Sequence, residues 1–82
     1  MTTHTTNIDG YDVELELDVD YGDGPTTQCT VSRKSDGLGK SVYSASLASL
    51  DADGLLNHGS DYVEVPQDTV DAIMKWATIN GY

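Results

Sequence analysis

Between Tyr11 and Tyr21 apolar residues hold every odd position and acids every even one. Side chains of a strand point to opposite faces in turn, so this run predicts one amphipathic β-strand. A helix would scatter the same acids around its whole circumference. The even face is Asp12, Glu14, Glu16, Asp18 and Asp20. Residues two apart on a strand are separated by roughly 6.6 Å. Two unit charges at that spacing repel by about 0.6 kcal/mol in water, and four such neighbours by on the order of 2 kcal/mol before salt screening. That is a sizeable part of the roughly 5–15 kcal/mol that stabilises a small domain. A sheet face kept for solubility would mix its signs, because opposite charges paired across strands are stabilising. The row is therefore the expected working surface. Asp23 extends it beyond the strand, and Asp9 extends the negative region at the other end.

The remaining chain supplies partners for this strand. Residues 1–8 read as a loose polar arm, and Asp9-Gly10 is a turn signal. Gly22-Asp-Gly-Pro25 breaks the first strand, and Thr27 to Lys34 reads as the second. Matching apolar to apolar pairs Tyr21 with Thr27, Val19 with Cys29 and Leu17 with Val31. In that register Gln28, Thr30, Ser32 and Lys34 flank the acidic row, with Lys34 opposite Glu14. Ser35-Asp-Gly-Leu-Gly39 is a second turn, followed by a strand over Val42 to Leu47. Tyr43, Leu47 and Leu50 would equally suit a short helix. Asp51-Ala-Asp-Gly54 and Asn57-His-Gly-Ser60 read as turns or loop, and Tyr62 to Val65 as a short fourth strand. From Pro66 onward Val70, Ile73, Met74 and Ala77 follow helical spacing, with Trp76 beside them. Asn80-Gly81 is a stop signal. The expectation is an α+β domain over residues 9–82: an antiparallel sheet of three to four strands with one C-terminal helix on one face, over Val13, Leu15, Leu17 and Val19.

Charge narrows the partners. Among 82 residues, 14 acids face 4 bases, a net charge of -10, and residues 1–25 hold seven acids and no Lys or Arg. Such a chain is repelled by nucleic acid and by anionic membranes, and is attracted to a basic protein. The polar N-terminus lacks the pattern of a signal peptide, and no apolar run approaches a membrane span. A monomer of the cytoplasm is expected. Eleven of the acids are aspartate and lysine is scarce, so salt adaptation is a rival source of the acidity.

Other chemistry finds little footing. Asp18 to Gly24 and Asp51 to Gly54 contain fragments of calcium loops, but the twelfth positions are Cys29 and Tyr62, neither able to supply the bidentate carboxylate. They read as Asp-Gly turns. The single Cys29 falls on the apolar face, where it is a small buried hydrophobe and not a nucleophile. His4 and His58 have no sequence partners that suggest a triad or a metal site. No enzyme, cofactor or metal is expected.

In size, charge, the row Asp12 to Asp20 and its sheet-plus-helix plan, the chain resembles small phage-encoded inhibitors. These include DNA-mimic anti-CRISPR proteins and the phage inhibitor of uracil-DNA glycosylase. Anti-CRISPR proteins share no common motif, so no functional residue carries over. The resemblance implies an inhibitor whose acidic face blocks the basic groove of a nucleic-acid-binding protein, such as a CRISPR surveillance complex. A small halophilic structural or binding domain whose acidity is salt adaptation, and an immunity protein or antitoxin neutralising a basic nuclease, are the alternatives.

Overall fold

The computed structural model describes residues 2–20, 22, 24–34 and 42–82. The expected α+β plan is present, an antiparallel sheet with a C-terminal helix, but the described residues form a sheet of six strands and not three or four. They are β1 (Thr2–Ile8), β2 (Tyr11–Asp20), β3 (Pro25–Lys34), β4 (Val42–Ser46), β5 (Leu55–His58) and β6 (Asp61–Glu64). They lie side by side in chain order, each antiparallel to the next. Helix α1 (Leu47–Asp53) interrupts the meander and α2 (Gln67–Ile79) follows it.

The first correction concerns the N-terminal arm. Residues 2–8 are strand β1, paired with β2 from Thr2 opposite Leu17 to Ile8 opposite Tyr11. The cause is the turn between them. Asp9 and Gly10 sit at φ 52° and 88°. Positive values at both central residues are what a two-residue type I′ hairpin requires, and Asp-Gly is among its favoured sequences. Asn7 Oδ1 accepts a hydrogen bond from the Gly10 N–H at 3.2 Å, which ties the strand end to the turn.

The second correction concerns register. Val13 faces Val31 and Leu15 faces Cys29, four residues away from the pairing expected from the sequence. Apolar still meets apolar, because a slip of four keeps every side chain on its face. Lys34 is accordingly not opposite Glu14, whose β3 partner is Thr30. Tyr21 and the turn expected at residues 35–39 lie outside the described residues.

The segment after β4 resolves into helix and hairpin. The strand ends at Ser46, one residue before the expected Leu47, because Ser46 caps α1: its Oγ accepts from the Ser49 N–H at 3.3 Å. Gly54 closes α1 at φ 69°, a left-handed value that favours glycine. Leu47 and Leu50 are fully buried. Asn57 and His58, expected as turn or loop, belong to strand β5, which a turn at Gly59-Ser60 joins to β6.

Helix α2 begins one residue after Pro66, which is the N-cap. Its inward stripe is Val70, Ile73 and Ala77, with Met74 and Trp76 packed at the margin. Thr69 is also buried, and its hydroxyl donates to Asp9 Oδ2 at 2.9 Å, fastening the start of α2 to the β1–β2 turn. Val70, Ile73 and Ala77 form one cluster with Tyr11, Val13, Leu15, Cys29, Val31, Leu47, Leu50, Leu56 and Val65. Each large apolar side chain so enclosed contributes about 1.5–3 kcal/mol relative to exposure. Leu17 packs at the edge of the cluster, while Val19, expected beneath α2, is buried outside it. Both helices thus contribute to the core on one face of the sheet, and the opposite face carries Asp12, Glu14 and Glu16.

Candidate functional site

Directly opposed residues of an antiparallel pair share a face, so the registers map the open face strand by strand. On β2 it carries Asp12, Glu14 and Glu16, with Asp12 and Glu14 exposed and Glu16 partly so. Across β1 these meet Asn7, Thr5 and Thr3. Across β3 they meet Ser32, Thr30 and Gln28. Three carboxylates therefore stand in the interior of the sheet, with amides and hydroxyls on both flanks and no Lys or Arg directly across from them. Apolar matching in the sequence predicts the same β3 flankers, Gln28, Thr30 and Ser32, but sets each four residues farther along β2, opposite a different acid. The β1 flankers were missed, although Asp9-Gly10 between two β-compatible runs was the available signal.

The row does not continue as five in line. Glu16 faces Gln28 but Val19 faces Thr26, so Leu17 and Asp18 together oppose Thr27 in a β-bulge. Asp18 occupies the bulge at φ 58°, a left-handed conformation that Asp tolerates better than most residues. Beyond it the alternation runs one step out of phase. Asp20 pairs with Pro25, and its Oδ1 accepts from the Gly22 N–H at 2.7 Å, serving the following turn. The structure therefore brings together Asp12, Glu14 and Glu16, offsets Asp18 and uses Asp20 in a turn; Asp23 lies outside the described residues.

The three central acids are not equivalent. Asn7 Nδ2 donates to Asp12 Oδ1 at 3.0 Å, which holds that carboxylate in place. The Glu14 carboxyl, hydrogen-bonded to Glu16 on the same face, raises the Glu16 pKa above its ordinary 4.5; desolvation and the Glu14 charge add to this. The shift leaves Glu16 less readily ionised at mildly acidic pH than an isolated glutamate. Beside Asp12 and Glu14 the sheet surface dips into an open concavity of about 480 Å³, bordered also by Thr5, Asn7, Thr30 and Ser32. Farther along the same face, Ser44 and Asn57 carry the polar surface across to Tyr62, which is 61% exposed on β6.

Other candidate groups fall elsewhere. Cys29 is buried, and desolvation lifts its pKa to about 11, so the thiolate is suppressed at neutral pH. His58 stacks edgewise on Tyr43 with ring centroids 5.8 Å apart. The Arg33 guanidinium lies 5.7 Å from the centre of the Tyr11 ring. Among the described residues no group of three or more His, Cys, Asp or Glu comes together to hold a metal ion. No described helix is long and apolar enough to cross a membrane.

Fold and site together define a class: a six-stranded antiparallel meander covered by helices on one face and presenting an acidic, hydroxyl-rich sheet on the other. No protein-family model, curated protein or solved structure matches this chain.

Proposed function

We propose that this protein is an inhibitor whose open sheet face docks on the basic groove of a nucleic-acid-binding protein and keeps the nucleic acid out. One observation carries the reading: Asp12, Glu14 and Glu16 stand side by side in the middle of a rigid sheet face, flanked by uncharged side chains where a stabilising arrangement would set cations. Carboxylates repeating at strand spacing offer a Lys- and Arg-lined groove a regular series of anions, as a phosphate backbone does. The net charge of -10 drives encounter with such a groove while repelling nucleic acid itself. Among basic partners, the size and acidity of the chain favour a host defence complex of the CRISPR type, making it an anti-CRISPR protein.

The test is reversal of the two central glutamates. Glu14→Lys/Glu16→Lys should fold, because both side chains lie on the open face and Glu14 is exposed. It should compete with DNA roughly 100-fold or more less well than the parent for the basic protein the parent captures from a prokaryotic lysate. Equal competition by parent and variant would remove the open face as the working surface.

A second reading has its own observation. Asp51, Asp53, Asp61, Asp68 and Asp71 are also exposed, away from the central row. Acids distributed in this way are what adaptation to high salt produces, and the salt dependence of unfolding separates the two readings.

A further inference from the structure

The two edges of the sheet are built differently. β6 is four residues long and carries Asp61 and Glu64, brevity and charge being common protections against unwanted pairing. β1 is seven residues long, contains no Asp, Glu, Lys, Arg or Pro, and pairs with β2 along its whole length without a register shift. Its outer side, at the edge of the sheet, offers main-chain donors and acceptors along an unbulged strand, a template for an added strand. The neighbouring face indicates what that strand would carry. Thr3, Thr5 and Asn7 have short side chains, and immediately inward of them stand Glu16, Glu14 and Asp12. Long cationic side chains can pass over the former to reach the latter. A second copy of this chain, at net charge -10, lacks that complementarity.

We infer that β1 is a strand-addition edge: an extended cationic segment of the partner pairs with Thr2–Ile8 as a further strand, and its alternate Lys or Arg side chains reach the three central carboxylates. This rests on the carboxylate face being the partner-binding surface, and adds to it main-chain pairing that a purely electrostatic contact lacks. Main-chain bonds supply affinity and the alternating cations supply selectivity.

The test uses the intact protein and two synthetic nonapeptides. Both alternate lysine with threonine, and one is N-methylated throughout, so that charge is kept and main-chain donors are lost. Binding and amide hydrogen exchange are followed by NMR at low salt. The unmethylated peptide is expected to protect amides of β1, and to bind tighter than its methylated counterpart by roughly 30-fold or more, the effect of two or three hydrogen bonds. Equal affinity for both peptides overturns strand addition and leaves the carboxylate face standing as an electrostatic surface. Binding by neither also overturns strand addition, while the Glu14→Lys/Glu16→Lys competition decides the face separately.

Discussion

At the scale of single residues, two acids of β2 carry opposite kinds of strain. Asp18 is strained in its backbone, at φ 58°. A left-handed conformation costs an L-residue roughly 1–2 kcal/mol, less for Asp, and nothing comparable for glycine. Asp18→Gly should leave stability unchanged or raise it by up to about 1 kcal/mol, and Asp18→Val should lower it by about 1–2 kcal/mol, as read by urea denaturation. Glu16 is strained electrostatically. Its folded pKa is raised, so the folded state holds the proton more tightly than the unfolded chain. Stability is then full below the ordinary value of 4.5 and falls as pH rises through the folded value. Glu16→Gln should flatten the decline of Tm in the interval just above 4.5, and an unchanged slope would place its origin elsewhere.

At the scale of elements, β1 is the informative strand. Its residues Thr2-Thr-His-Thr-Thr-Asn-Ile8 show no apolar alternation, so periodicity assigns them to an arm. They are nevertheless rich in β-branched threonine and precede an Asp-Gly turn, and these local preferences match a hairpin strand. A chain lacking residues 2–8 would expose the β2 edge and uncover one side of Leu15 and Val13, which are opposed by His4 and Thr6. Its deletion should remove a large part of the roughly 5–15 kcal/mol available to a small domain, measured by thermal unfolding. A dispensable arm would leave Tm unchanged. The bulge acts at the same scale. One extra residue on β2 ends the aligned run of acids at Glu16, something no alternating pattern can reveal.

At the scale of the whole molecule, acidity is the property to test. If the charge serves a partner, the protein is folded in low salt, and its binding to a basic protein weakens steeply as salt rises. If the charge serves salt adaptation, the protein unfolds in low salt and gains stability up to molar salt. Circular dichroism across that range distinguishes these outcomes, with the inhibitor reading expecting a melting temperature that changes little above about 0.15 M, where the screening length is already near 8 Å. The core is compatible with folding in low salt. Leu15, Val31, Leu47, Leu50, Leu56 and Ile73 are completely buried in an 82-residue chain.

The sequence alone determined the strand over residues 11–20, the apolar and acidic faces of that strand, the C-terminal helix stripe and the division into one covered and one open face. Those follow from periodicity, which is a local property of the chain. Tertiary structure decided which acids stand together. Tyr21-to-Thr27 and Val13-to-Val31 registers both satisfy apolar matching, because any even slip keeps each side chain on its face. The choice between them, the bulge at Asp18 and the enclosure of the row between β1 and β3 depend on contacts between residues distant in sequence. What began as five evenly spaced carboxylates is therefore three in the centre of a hydroxyl-rich face, one displaced by a bulge and one committed to a turn.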